Sequence, residues 1–201
     1  DASAAIFISV RDFNHDNQLD IAVANYRANN IVVLFGFEDT SFLLGAAYQT
    51  GIGSGPIALV IDDFDNDTRL DIAVANYLSN DISIFLGYNR EPFAGMTSYS
   101  IGSGSQLHSI VINDLNNDGW LDIVVGDYGT DNLGILFGRG NEVFDSVIIY
   151  SAEIRSAPYS VAITDFNNDT HLDIVVTNSQ TYDIAIFLSY GYETFTSGMI
   201  Y

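Results

Sequence analysis

The 201-residue chain has no cysteine, and its six basic residues face 26 acidic ones. Without cysteine it has neither disulfides nor thiolate metal sites, and the redox compartment is left open. A formal net charge of −20 repels phosphate backbones and anionic headgroups, which sets nucleic acid and membrane surfaces aside as partners. No apolar run approaches the ~20 residues of a membrane helix, and no signal peptide is visible. The chain begins at Asp1 rather than Met, which reads as processing or excision from something longer. Also missing are a Ser-His-Asp order, a nucleophile elbow and a His-rich metal site. Gly51-Ile-Gly53-Ser-Gly55 looks like a phosphate loop, but it opens a strand pattern and no helix follows.

What is present is a repeat. The segments Asp12-Phe-Asn14-His-Asp16-Asn-Gln18-Leu-Asp20, Asp63-Phe-Asp65-Asn-Asp67-Thr-Arg69-Leu-Asp71, Asp114-Leu-Asn116-Asn-Asp118-Gly-Trp120-Leu-Asp122 and Asp165-Phe-Asn167-Asn-Asp169-Thr-His171-Leu-Asp173 begin 51 residues apart without slippage. A period in this range marks a solenoid, propeller or array. With 48% hydrophobic residues the chain can bury a core.

Each unit reads as four short strands and none as a helix. In the second unit Ile57–Asp62 runs into the acidic loop, Leu70–Asn76 leaves it, Ile82–Gly87 follows a turn, and the last strand lies near Met96–Ile101. The chain starts on an innermost strand, Ala4–Val10, and finishes on an outermost one, Thr196–Tyr201. Four strands per unit is the blade of a β-propeller, whose two buried faces explain near-continuous apolar strands such as Ile123-Val-Val125. The expectation is one all-β domain, 1–201, with blades near 1–51, 52–102, 103–153 and 154–201. A discrete four-bladed ring is the favoured form. The alternatives are a piece, or half, of a larger seven- or eight-bladed propeller.

The loops carry half of all the acidic residues. Calcium takes six to eight oxygens at about 2.3–2.6 Å in flexible geometry, whereas magnesium demands a stricter octahedron. Positions 1, 3, 5 and 9 supply side-chain oxygens, and position 7 (Gln18, Arg69, Trp120, His171) supplies its backbone carbonyl. Up to four calcium ions are therefore expected, one per repeat. Solvated Asp/Asn turns would explain one copy but not four in register. An EF-hand fails on context, because strands flank the loop. A glycosidase carboxylate pair fits poorly with ligands repeated by symmetry. Position 6 asks for a positive φ, which suits Gly119 and Asn17 but strains Thr68 and Thr170. Those two loops are expected to turn differently or bind more weakly.

The run Asp-Phe-Asn-x-Asp-x-x-Leu-Asp-Ile-Val-Val, followed by Asn-Tyr, an aliphatic strand and Phe-Leu-Gly, resembles the FG-GAP/VCBS repeat family across essentially the whole chain. That resemblance implies calcium-bearing propellers, usually of seven blades, as in integrin α-subunit heads and some fungal lectins. It also implies that the loops join the first and second strands of each blade on one face of the disc.

The opposite face offers Tyr26, Tyr77 and Tyr128 at equivalent positions, with Ser179 in the fourth copy and Arg27, Asn76 and Asp127 nearby. Gln106, His108, Arg155 and Tyr159 lie on the blade links, and the inner strands start differently, at Ile6, Ile57, His108 and Tyr159. A variable rim on a constant scaffold suits a ligand site, and Tyr26, Tyr77, Tyr128, His108 and Tyr159 are its candidates. The competing reading packs the tyrosines between blades. Asn66-Asp-Thr68 and Asn168-Asp-Thr170 fit the glycosylation acceptor pattern. Together these readings give a non-enzymatic, calcium-binding module for extracellular protein or glycan ligands, secreted or part of an ectodomain, as a monomer or ring-completing homodimer. The alternatives are a lectin and the propeller domain of a secreted hydrolase or lyase.

Overall fold

The structure is a computed structural model that describes residues 4–87, 93–140 and 144–201. Blade 1 comprises β1 (Ala5–Arg11), β2 (Asp20–Asn25), β3 (Asn30–Gly36) and β4 (Phe42–Gln49). Blade 2 comprises β5 (Pro56–Asp62), β6 (Asp71–Asn76), β7 (Asp81–Gly87) and β8 (Phe93–Ser100). Blade 3 comprises β9 (Leu107–Asn113), β10 (Asp122–Asp127), β11 (Asn132–Leu136) and β12 (Ile148–Ser151). Blade 4 comprises β13 (Pro158–Thr164), β14 (Asp173–Asn178), β15 (Asp183–Phe187) and β16 (Met199–Ile200). Each blade is an antiparallel sheet whose strand order is its sequence order, and no helix occurs among the described residues. The β-propeller blade read from the repeat is what the chain builds.

The chain resolves into two compact units, Asp1–Ser100 and Ile101–Tyr201, each holding two blades. In the first, Ala22, Ala24, Ile31 and Val33 of blade 1 share one core with Leu59, Ile61, Ile72, Val74 and Phe85 of blade 2. In the second, Val124, Leu133 and Ile135 of blade 3 share a core with Val161, Ile174, Val176, Ala185 and Phe187 of blade 4. The two cores use equivalent repeat positions, because alternation along each strand sends every second side chain to the same face. All six residues of β6, and all six of β10, are buried. A strand covered on both faces has no place for polar alternation, hence their continuous apolar reading.

The outer strands depart from expectation. Thr196–Tyr201 shortens to β16, Met199–Ile200. Ahead of it the Leu188 N–H is taken by the Thr196 side chain at 2.9 Å, and only an isolated bridge, Ser189 to Phe195, continues the pairing. A second regularity could not be read from the sequence. The inner strand of every blade is bulged against its neighbour at one residue, and those four residues are Ile6, Ile57, His108 and Tyr159. A bulge locally bends a strand and re-aims its side chain.

Phe187, 1% exposed, is among the largest fully buried side chains. Phe187→Ala is expected to cost about 3–5 kcal/mol through lost burial and a residual cavity. Tyr192→Ala, at a side chain 94% exposed, is expected to stay within about 0.5 kcal/mol. Denaturant unfolding of the two variants checks the contrast.

Candidate functional site

Each acidic loop joins the first two strands of its blade, and all four fold alike. The position-1 carboxylate accepts the N–H groups of positions 5 and 6: Asp12 from Asp16 and Asn17 at 3.2 and 2.9 Å, Asp63 from Asp67 and Thr68 at 3.0 and 2.8 Å. Asp114 does the same with Asp118 and Gly119, and Asp165 with Asp169 and Thr170. Position 3 (Asn14, Asp65, Asn116, Asn167) also accepts the position-5 N–H. Position 5 accepts the N–H of position 7, from Gln18, Arg69, Trp120 and His171. Curling the chain around its own carboxylates requires left-handed backbone at position 4 (His15, Asn66, Asn117, Asn168) and at position 6. Thr68 and Thr170 adopt it at φ 73° and 75°, beside 66° for Asn17 and 90° for Gly119. The two threonine loops therefore do not turn differently. Their β-branched side chains bear the strain because the hydrogen bonds around them fix the turn.

Position 9 has a separate duty. Asp20 accepts N–H groups from Phe13 and Gly36, both at 2.8 Å. Asp71 accepts from Phe64 and Gly87, both at 2.7 Å. Asp122 accepts from Leu115 and Gly138, and Asp173 from Phe166 and Ser189. Each buried carboxylate thus ties its loop to the end of the blade's third strand. Close approach there explains two glycines: a Cβ on Gly36 or Gly138 would lie 2.3 or 2.4 Å from the carbonyl oxygen of Leu19 or Leu121.

The second loop brings oxygens of Asp63, Asp65 and Asp71 within 4.8 Å of one another. Burial, opposed by the two N–H bonds and reinforced by neighbouring Asp65 and Asp67, pushes the Asp71 carboxyl up to about 7. Asp122 is pushed to about 7 by the same causes, with Asp118 and Asp114 as its like-charged neighbours. Such groups are short of positive charge, and the oxygen-only donor set fits a hard divalent cation. Local cations meet the rims of two loops: Arg69 pairs with Asp67, and Arg139 lies 3.7 Å from Asp118. Arg69 also donates to the Gly87 carbonyl at 3.1 Å.

At the other end of the strands the sequence candidates divide. Tyr26 and Tyr77 pack on each other with centroids 6.5 Å apart, and Gly55 lies directly against Tyr26, so these two rings pack between blades. Asn76 holds Asp81 and Ser83. Asp127 accepts N–H groups of Gln106, Gly129 and Thr130, which commits it to its turn. By contrast His108 stacks on Tyr159 with centroids 3.8 Å apart and lies 6.0 Å from Tyr128. Tyr159 remains 48% exposed, and burial lowers the His108 pKa, favouring the neutral ring. Arg27 and Arg155 are exposed, whereas Ser179 bonds the Ala157 carbonyl.

The raised carboxyls give a pH dependence with a definite sign. In the cation-free protein Asp71 and Asp122 bind protons that the unfolded chain has released above its ordinary value of 3.8. Their contribution to stability is full below about pH 4 and is lost as the pH rises through about 7. Melting temperatures in chelator are expected to fall across that window more steeply than those of an Asp71→Asn, Asp122→Asn variant. A bound cation reverses the trend, because it favours the ionised form.

Comparison with known proteins completes the picture. No curated protein matches the chain. Among solved structures it resembles virginiamycin B lyase from Staphylococcus aureus at 14% identity and TM-score 0.66, covering 98% of this chain and 56% of that one. It resembles the periplasmic gluconolactonase PpgL of Pseudomonas aeruginosa at 17% identity and TM-score 0.71, covering 95% and 52%. An Agrocybe aegerita lectin specific for non-reducing terminal N-acetylglucosamine matches at 18% identity and TM-score 0.61, covering 97% and 52%. The chain spans little more than half the length of these structures, and the likeness at this identity is one of fold. It corrects one expectation: a lyase and a lactonase share the fold, so the missing triad and nucleophile motifs do not make this chain a non-enzyme. The model of the FG-GAP-like repeat matches residues 12–74, 63–125 and 114–176. With most of its length so matched, the chain belongs to the FG-GAP-like repeat family.

Proposed function

We propose that the chain is a calcium-bearing propeller module of the extracellular space that binds a protein or glycan ligand at the end of its blades opposite the acidic loops. The observation that carries the reading is the common bulge. All four inner strands are distorted at one shared repeat position, which carries isoleucine in two copies, Ile6 and Ile57, and an aromatic ring in the other two, His108 and Tyr159. His108 is the second residue of the seven-residue strand β9 and stands six residues before the acidic loop at Asp114, about 20 Å along the strand direction. One end of each blade is thus acidic in every copy, and the other carries a shared bulge whose residue is isoleucine, histidine or tyrosine.

Calcium suits the acidic end. Asp12, Asn14, Asp16 and Asp20, with the Gln18 carbonyl, would hold the first ion, and the corresponding residues of the other three loops would hold theirs. The ion supplies positive charge among crowded carboxylates and pins the first hairpin of the blade. A ligand that binds only the folded state stabilises it by about 2.7 kcal/mol per site at 100 times its dissociation constant. Chelator is expected to lower the melting temperature and calcium to restore it; a melt indifferent to both contradicts the ion's role.

Within the ligand reading a glycan is favoured by the stacked pair His108–Tyr159 beside Tyr128. An exposed aromatic face offers stacking area to a sugar, and the phenol supplies a hydrogen bond. A glycan array with the calcium-loaded protein is the test. Tyr159→Ala is expected to abolish the signal with the melting temperature unchanged, and silence across the array turns the reading to a protein ligand. The second reading, the propeller domain of a secreted hydrolase or lyase, rests on the lyase and lactonase neighbours. Ligand turnover that Tyr159→Ala removes would establish it.

A further inference from the structure

We propose that Glu193, a residue of blade 4, is a positioning residue for the cation loop of blade 3. The inference rests on the calcium reading above and adds a dependence between neighbouring blades. Asn116 stands at position 3 of that loop, and its amide can serve a cation only through Oδ1. Its Nδ2 donates to Asp118 at 2.9 Å and to the Glu193 carboxylate at 3.1 Å. A carboxylate can only accept, so Glu193 reinforces the orientation that Asp118 sets, the same one that Asn167 takes against Asp169 alone, with the Asn116 oxygen on the loop side. There that oxygen already accepts the Asp118 N–H at 3.0 Å.

Glu193 is itself held. Arg139 reaches its carboxylate at 2.6 Å while also pairing with Asp145, and the Tyr150 hydroxyl donates to its backbone carbonyl at 3.3 Å. Tyr192 and Glu193 are both left-handed, with φ of 53° and 62°. Two successive non-glycine residues in that region persist only where their surroundings fix them. The sequence adds an independent observation: Glu91, Glu142 and Glu193 recur at the 51-residue spacing. The first unit carries Thr40 at the equivalent place, so the glutamate recurs in three of the four units. By linkage, an ion in the blade 3 loop and the packing of the blade 4 outer hairpin then favour one another.

Trp120 makes the test local. It is the only tryptophan of the chain, stands at position 7 of this same loop, and packs so closely on Gly140 that a Cβ there would lie 2.6 Å from its ring. Terbium in this loop can therefore be followed by tryptophan-sensitised luminescence, with calcium competition giving the affinity. Glu193→Ala is expected to weaken binding in this loop roughly 10-fold, the usual loss when a partner that orients a ligand is removed. Glu193→Gln, which keeps an acceptor for Asn116, is expected to restore most of it. Calorimetric calcium binding at the remaining loops is expected to stay at the wild-type level. Wild-type affinity in Glu193→Ala overturns the proposal, as does equal weakening of every loop, which would report general loosening of the blade. No tryptophan-sensitised terbium signal from the wild-type protein overturns the cation reading itself, and the proposal with it.

Discussion

Everything in each blade hangs on one buried carboxylate. Asp20, Asp71, Asp122 and Asp173 each accept two backbone N–H groups, one from their own loop and one from the end of the third strand. A carboxylate satisfied on both oxygens by backbone donors fixes the loop entrance and the sheet edge together. Its negative charge is nevertheless inside the protein, next to the other carboxylates of the loop. Burial is the main reason that Asp71 and Asp122 rise to about 7. The fold therefore gathers negative charge in an oxygen-only donor set, which fits a hard divalent cation.

The repeat made the architecture legible in one dimension. A 51-residue period, four strand patterns and acids at fixed offsets need no knowledge of long-range contacts. Strands buried on both faces likewise keep their apolar signature whatever their neighbours do. The turn chemistry was also readable, though the left-handed backbone at Thr68 and Thr170 was not. Their propensity opposes such a turn, but the hydrogen bonds converging on Asp63 and Asp165 outweigh it. What escaped the sequence depends on partners distant along the chain. The second role of position 9 needs Gly36 or Gly138 brought alongside from sixteen residues away. The contact of Asn116 with Glu193 spans 77 residues. The bulges escaped for another reason, since a register slip of one residue leaves no mark on composition.

The division of labour along each blade follows from these constraints. The acidic ends are fixed by hydrogen bonding and vary little, so they serve as frame. At the opposite ends Asn25, Asn76, Asp127 and Asn178 close their turns, which leaves the bulged residues free to differ. Of the aromatic candidates read from the sequence, Tyr26 and Tyr77 fill space between blades, whereas Tyr159 stacks on His108 and stays half-exposed. Propellers that act as lyase, lactonase or lectin share this scaffold. A shared fold of this kind does not fix its function, which is set by the residues of a particular site.

Whether the charge-starved loops are cation sites is tested most directly by a crystal structure grown in calcium, with anomalous scattering recorded. An anomalous peak is expected in each of the four loops, about 2.3–2.6 Å from the oxygens of positions 1, 3, 5 and 9 and from the position-7 carbonyl. Loops with the same hydrogen bonds and no peak would contradict the cation reading.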